Sequence, residues 1–295
     1  MDIEPVIIIG GGPAGIAAAI QLARYGVRPI IFEKEKLGGL LRNANLVENY
    51  PGFPGGISGI ELAALFEQQL SEHEVRVLGE EVVALDYDNR SFLVTSDRRL
   101  YRSQIAVIAS GTRAKRLRDI DIPENARDRV FYEVVPLLGM TDKKIVVVGA
   151  GDAAFDYTLT LGRENDITLL NRSREAKCLP LLRQRLQKLA RVSYHTNAQI
   201  TSIQHDMSGK LAVEVNSHNE VLQLEADYLI FAIGREPSCD FLSARLQEKS
   251  DELKNEGLLY FIGDVKNGNL RQTSIAVGDG VKAAMRIAEK LGDQS

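Results

Sequence analysis

Apolar residues in this chain gather in short unbroken runs, and the earliest run stops at glycine. Residues 6–9 form that run, and Gly10-Gly11-Gly12-Pro13-Ala14-Gly15 follows. Residues 16–26, IAAAIQLARYG, carry apolar positions at helical spacing, with Gly26 placed to end the helix. Residues 29–33, PIIFE, predict a second strand, so the N-terminus reads as a βαβ unit with its glycines between strand and helix. A helix is predicted over 55–78, running into the short strand RVL. Residues 82–96 alternate on either side of DNR, which predicts a hairpin, and 101–111 supply another buried strand.

The pattern then restarts. Residues 144–163, KIVVVGAGDAAFDYTLTLGR, repeat strand, glycine turn and helix, and 166–173 supply the following strand. Strand-like segments at 192–195, 200–205, 211–215 and 221–224 echo the earlier hairpin, and 226–234 echo the strand ending at Gly111. This coarse internal repeat predicts an α/β chain of two Rossmann-like, doubly wound nucleotide-binding domains. The tail from Gly257 has no counterpart before residue 142 and ends in a helix. It is expected to return to the first module, so that 1–113 and 245–295 form one domain and 114–244 an inserted second.

Composition narrows the classes. A chain of 295 residues, 44% hydrophobic and 26% charged, can bury two cores. Its net charge of -4 supplies no basic field, so neither nucleic acid nor an anionic membrane is an expected partner. Cys178 and Cys239, the two cysteines, form neither a CxxC nor a disulfide framework, which suits a reducing, cytoplasmic setting. No basic leader and no apolar run of about 18 residues predicts export or membrane insertion.

The chemistry lies in the glycine turns. In Gly10-x-Gly12-x-x-Gly15, the first glycine permits the tight turn, the second lets backbone approach a diphosphate, and the third lets helix and strand pack. Glu33 ends the next strand, where an acid meets a ribose hydroxyl. The second copy, Gly149-Ala150-Gly151-Asp152-Ala153-Ala154, is a GxGxxA variant. Its following strand ends in Asn171-Arg172-Ser173-Arg174-Glu175-Ala176-Lys177, whose cations suit a 2′-phosphate and favour NADP over NAD; a solvated basic loop is the bland alternative. Near the C-terminus Asp264 ends an apolar strand, either as acceptor for a sugar-like hydroxyl or as a turn residue. Arg271 and Gln272 precede a predicted helix whose start carries partial positive charge.

These motifs in this order, GGGPAG, GAGDAA and GDV followed by RQ, resemble the low-molecular-weight thioredoxin reductase family of FAD and pyridine-nucleotide flavoproteins. The resemblance spans nearly the whole chain and includes Gly38-Gly39-Leu40, the segment ENYPGFP at 48–54, and the turns at Gly111 and Gly234. It implies that the first module and tail hold FAD, that the middle module holds NAD(P)H, and that two subunits pair. On it, FAD contacts fall on Gly10, Gly12, Pro13, Ala14, Gly15, Glu33, Lys34, Gly39, Leu40, Asn49, Val82, Gly111, Asp264, Arg271, Gln272 and Thr273. NAD(P) contacts fall on Gly149, Gly151, Asp152, Ala153, Arg172, Arg174, Lys177 and Gly234. Counting back without gaps from GAGDAA, the family's CxxC falls on Tyr132-Glu133-Val134-Val135, so the dithiol is absent there. VFYEVV followed by GDAAFDYTLTL is similar to the thioredoxin-reductase-like ferredoxin or flavodoxin NADP reductases. The chain departs from them at Leu40, in place of Gln, and no extension past the last helix is expected.

The expected function is therefore an FAD-dependent NAD(P)H oxidoreductase that exchanges electrons with an external carrier such as ferredoxin or flavodoxin, or with a small-molecule acceptor. Disulfide reduction through Cys178 or Cys239, and a non-enzymatic flavin or NADP(H) redox sensor, are the alternatives. No catalytic acid or base is required; Tyr132 either covers the flavin or packs between domains. Arg113, Lys115, Arg116 and Arg118 form a basic cluster for an acidic carrier, or a solvated loop. His73, His195, His205 and His218 fall outside the nucleotide motifs, and no metal is expected.

Overall fold

The computed structural model describes residues 3–117, 120–206, 209–218 and 220–292. Contacts divide the chain into two units: Met1–Arg42, Leu46–Arg113 and Glu236–Ser295 in the first, Asn43–Asn45 and Ala114–Arg235 in the second.

In the first unit, the strand Ile3–Ile9 lies between the parallel strands Ile30–Phe32 and Leu100–Ile108, with Arg76–Leu78 beyond Ile30–Phe32. The strand Leu100–Ile108 is long enough to serve two partners. Its first part pairs antiparallel with Ser91–Ser96, and Ala106, Val107 and Ile108 pair parallel with Leu259–Phe261. The tail thus joins the first sheet. Val6 and Ile8 pack with Ala18, Leu22, Ala284 and Ile287, while Ile7 and Ile9 pack with Phe92, Val94, Leu246 and Leu253 on the opposite face. Burial on both faces is why this strand reads as an unbroken apolar run.

Two boundaries differ from the sequence expectation. The first helix, Pro13–Arg24, begins earlier than residue 16, because proline at a first helical position lacks only an N–H that has no partner there anyway. The helix expected over 55–78 is confined to Gly59–Ser71 by a capping box: Ser58 Oγ accepts the Glu61 N–H at 3.2 Å, and the Glu61 carboxylate accepts the Ser58 N–H at 3.3 Å. The hairpin forms as read. Asn89 and Arg90, with φ of 49° and 63°, make the two-residue turn that suits twisted strands.

The last helix, Thr273–Gly292, lies against Pro13–Arg24 because residue 280 is glycine. A Cβ at Gly280 would fall 2.3 Å from the Ala14 carbonyl oxygen and 2.9 Å from the Ala18 nitrogen.

The second unit repeats the plan. Its parallel sheet runs Val192–His195, Asp166–Leu170, Lys144–Val148, Tyr228–Phe231, Val130–Phe131. The helix Asp152–Leu161 covers one face through Phe155 and Leu159. The antiparallel strands Ala198–His205, Leu211–Ser217 and Glu220–Ala226 cover the other through Ile200, Val213 and Val215. The segment VFYEVV thus supplies an edge strand and then the buried Val134.

The expected boundary at 244/245 falls instead at 235/236. Backbone pairing explains it: Leu85 N–H donates to the Phe241 carbonyl at 2.7 Å, and Ser243 N–H to the Leu85 carbonyl at 3.0 Å, fixing this stretch to the first unit. Among the described residues no helix is long and apolar enough to cross a membrane.

Candidate functional site

In the first unit, the strand Ile3–Ile9 delivers the chain into the turn at Gly10, whose N–H donates to the Phe32 carbonyl at 2.8 Å. Gly10 has φ 109°, and a Cβ there would lie 2.3 Å from the Ala109 carbonyl oxygen. A Cβ at Gly15 would lie 2.0 Å from the Gly10 carbonyl oxygen. Gly12 is different: it sits at the helix start, has no side-chain cap, and a Cβ there would meet nothing within 4 Å. Uncapped N-terminal amides, the positive end of a helix and open space together fit a diphosphate.

Glu33 closes one side of this turn. Its Oε2 accepts the Gly11 N–H at 2.8 Å and its Oε1 the Glu35 N–H at 2.9 Å. Gly38 N–H donates to the Gly11 carbonyl at 2.8 Å, which brings Gly39 and then Leu40 alongside; a Cβ on Gly39 would stand 3.4 Å from the Gly12 Cα. Lys34 is exposed and pairs with Glu81 at 3.0 Å, and Val82 is buried at the start of its strand.

The C-terminal part of the unit gathers residues distant in sequence. Asn49 Nδ2 donates to Gln272 Oε1 at 2.8 Å, and the Gln272 carbonyl accepts the Ala276 N–H at 3.0 Å in the first turn beyond Thr273. Arg271 Nε is buried and has no hydrogen-bond partner among the described residues, so a ligand acceptor fits there. Asp264 lies half-buried in the short turn Gly263–Val265. Asp279, which the sequence reading passed over, holds that turn: its Oδ2 accepts the Gly263 N–H at 3.1 Å and Asn267 Nδ2 at 2.7 Å, and its Oδ1 pairs with Lys266 at 3.0 Å. Burial pushes the Asp279 carboxyl up, but these bonds outweigh it and hold it below its ordinary value. A carboxyl so lowered stabilises the fold above the ordinary carboxylate range and loses that contribution as pH falls through its folded value. Asp279→Ala is accordingly expected to cost about 2 kcal/mol at pH 7. The difference from wild type should shrink below about pH 4; chemical unfolding at both pH values is the check, and a constant difference would refute the assignment.

The second turn matches the first. Gly149 has φ 152°, its N–H donates to the Leu170 carbonyl at 2.9 Å, and a Cβ there would lie 2.4 Å from the Ala232 carbonyl oxygen. Gly151, at the start of the helix Asp152–Leu161, again faces open space. Ala153 is exposed in the first turn, and Asp152 Oδ1 accepts the Leu179 N–H at 2.8 Å. Lys177 N–H donates to the Ala150 carbonyl at 2.7 Å, which brings the basic loop to the glycine turn. Arg172, Arg174 and Lys177 are exposed, and none forms a salt bridge among the described residues. Gly234 has φ 114° and its carbonyl accepts the Lys115 N–H at 2.9 Å; Gly111, with φ 63°, does the same for Ser238 at 3.1 Å in the first unit.

Tyr132 is half-buried within the second unit. Its ring centroid stands 5.6 Å from that of Phe231, and the Arg116 guanidinium lies 4.1 Å over it. Glu133 accepts from Tyr157 Oη at 3.0 Å and Arg235 Nη1 at 2.6 Å; burial raises the Tyr157 hydroxyl strongly, so it stays protonated. The expected basic cluster is divided: Arg113 pairs with Glu236 at 2.8 Å and with Asp240, Arg116 covers Tyr132, and Arg118 lies outside the described residues. Cys178 and Cys239 are half-buried in different units, and burial raises both thiols. His195 and His205 lie in strands and His218 in a turn with φ 52°; His73 follows the helix Gly59–Ser71. Among the described residues no group of three His, Cys, Asp or Glu could hold a metal ion.

The family model for pyridine nucleotide-disulphide oxidoreductases matches residues 4–280. A thioredoxin reductase of Chlamydia pneumoniae is 29% identical over 97% of this chain and 98% of its own length, and one of Mycolicibacterium smegmatis is 28% identical over 99% and 98%. Among solved structures, the thioredoxin reductase of T. acidophilum superposes with a TM-score of 0.84 at 26% identity, covering 97% of this chain and 98% of that one. The Lactococcus lactis thioredoxin reductase shares the fold, with a TM-score of 0.87 at 24% identity over 98% and 99%. The chain therefore belongs to the pyridine nucleotide-disulphide oxidoreductase family, as an FAD-dependent oxidoreductase of the thioredoxin-reductase-like type.

Proposed function

We propose that this protein moves electrons between NADP(H) and an external one-electron carrier, a ferredoxin or flavodoxin, through FAD, without a dithiol of its own and as a homodimer. The single observation carrying this reading is the contrast between two intact glycine turns and the cysteines. Cys178 and Cys239 form no CxxC, lie in different units, and have thiols raised by burial, the opposite of an activated thiolate.

The first unit is assigned to FAD. Gly10, Gly12 and Gly15 keep the turn open to the diphosphate, and the helix start at Pro13 and Ala14 faces it. Glu33 sets the Gly11 amide and stands at the strand end where ribose hydroxyls are recognised. The buried Arg271 Nε, without a partner among the described residues, supports a ligand acceptor near the start of the last helix, where Asn49 orients Gln272. Bound there, FAD supplies hydride exchange with the nicotinamide and stepwise electron exchange with the carrier. The positive end of the helix Thr273–Gly292 favours negative charge developing beside it. The second unit is assigned to NADP(H), with Gly149 and Gly151 at the diphosphate and the exposed cations Arg172, Arg174 and Lys177 for a 2′-phosphate.

Disulfide reduction is the second reading, favoured by the thioredoxin reductases among the relatives. A Cys178→Ser/Cys239→Ser double variant separates the two. Reduced anaerobically with NADPH, it is expected to pass electrons to oxidised ferredoxin or flavodoxin at the wild-type rate. Reduction of thioredoxin by wild type that disappears in the double variant would establish the disulfide reading instead.

A further inference from the structure

We infer that Asn171 is the positioning residue that makes the second glycine turn select a 2′-phosphate over a 2′-hydroxyl; this rests on the NADP(H) assignment of that turn. Asn171 is the first residue after the strand Asp166–Leu170, the place where an acid would receive both ribose hydroxyls of a nucleotide lacking the phosphate. It is 1% exposed, and its amide is used up inside the protein. Oδ1 accepts the Ser173 N–H at 2.9 Å, while Nδ2 donates to the Glu175 carbonyl at 3.1 Å and to Tyr194 Oη at 2.9 Å. Those are three of the four bonds an amide side chain can make. The backbone is fixed as well: Asn171 N–H donates to the His195 carbonyl at 2.8 Å, and its carbonyl accepts the Ala198 N–H at 2.9 Å.

Two consequences follow from this arrangement. Asn171 presents nothing to a ribose diol, so the acid-type recognition of a plain adenosine ribose is missing. It also ties residues 171–175 into a closed loop, and the Lys177 N–H bond to the Ala150 carbonyl sets the far end of that loop against the glycine turn. The groups the loop leaves outward are then Arg172, Arg174 and Lys177, cations without carboxylate partners among the described residues. Tyr194 is itself held by Phe155, ring centroids 5.7 Å apart and edge-on, so the loop is anchored to the core rather than to solvent-exposed chain. An aspartate at 171 would retain the Ser173 bond but would turn a carboxylate oxygen against the Glu175 carbonyl.

The test is calorimetric titration of the flavin-loaded protein with 2′,5′-ADP and with 5′-ADP, which reads phosphate selection apart from turnover. Wild type is expected to prefer 2′,5′-ADP. Asn171→Ala should weaken 2′,5′-ADP about tenfold and move 5′-ADP by less than about twofold, because the loss falls on the charge-assisted contacts that the loop arranges. Tyr194→Phe, which keeps the ring against Phe155 and removes one hydroxyl, should weaken 2′,5′-ADP by about threefold; it also tests the idea if Asn171→Ala folds poorly. Wild-type selectivity in either folded variant overturns the role of Asn171 while leaving the nucleotide site intact. A wild type that binds neither nucleotide overturns the NADP(H) assignment and this inference with it.

Discussion

Gly280→Ala is expected to destabilise the first unit by about 2 kcal/mol, although a glycine inside a helix ordinarily gains about 1 kcal/mol on becoming alanine. The sign reverses because the new Cβ would stand 2.3 Å from the Ala14 carbonyl oxygen and 2.9 Å from the Ala18 nitrogen, both backbone atoms of a helix packed on the sheet. Neither can yield without moving the helix that carries the glycine turn. Gly278, two residues earlier in the same helix, is the internal control. It is exposed, and a Cβ there meets nothing within 4 Å, so Gly278→Ala should stabilise by about 0.5–1 kcal/mol. Thermal unfolding of the two variants should bracket wild type, and a Gly280→Ala protein melting at or above wild type would show that the helices do not pack this closely.

The second large effect separates binding from folding. Gly12 has φ of -76°, which alanine adopts without strain, and its Cβ would project into open space. Gly12→Ala should therefore fold with wild-type circular dichroism and stability. On the proposed FAD assignment, its methyl group would nevertheless stand where the diphosphate approaches the uncapped amides, and losing one or two charge-assisted bonds should weaken FAD about 10- to 100-fold. Gly15→Ala, by contrast, drives a Cβ to 2.0 Å from the Gly10 carbonyl oxygen and should compromise the fold itself. Flavin content on purification, with fluorescence titration of the stripped protein, reads the difference. A Gly12→Ala protein that binds FAD as wild type does would remove the diphosphate from this turn.

What was legible beforehand follows from how local each signal is. Strand, glycine turn and helix occupy neighbouring residues, so residues 6–26 and 144–162 carried their own pattern, and both turns have the backbone that the glycines suggested. The capping box at Ser58 and Glu61 was also local, but the apolar run beginning at Gly55 drew the helix too long. The convergence of Asn49 with Gln272 could be anticipated only through the family resemblance, since 223 positions separate them. Asp279 was invisible as a support for the turn Gly263–Val265, because an acid in an amphipathic helix reads as a solvated side chain until the turn it holds is seen.

By itself, then, the sequence determined the repeated strand, turn and helix, the glycines at the two turns, the cations of the basic loop and the lack of a CxxC. These are properties of residue type at fixed short spacing, which the backbone must express locally. The tertiary structure alone decided the rest. It set the tail strand beside Leu100–Ile108, pressed Gly280 onto Ala14, gave Asp279 its turn, and divided the basic cluster between Glu236, Asp240 and Tyr132. Each of these depends on atoms brought together from distant parts of the chain, where packing and charge pairing, rather than periodicity, choose the partner.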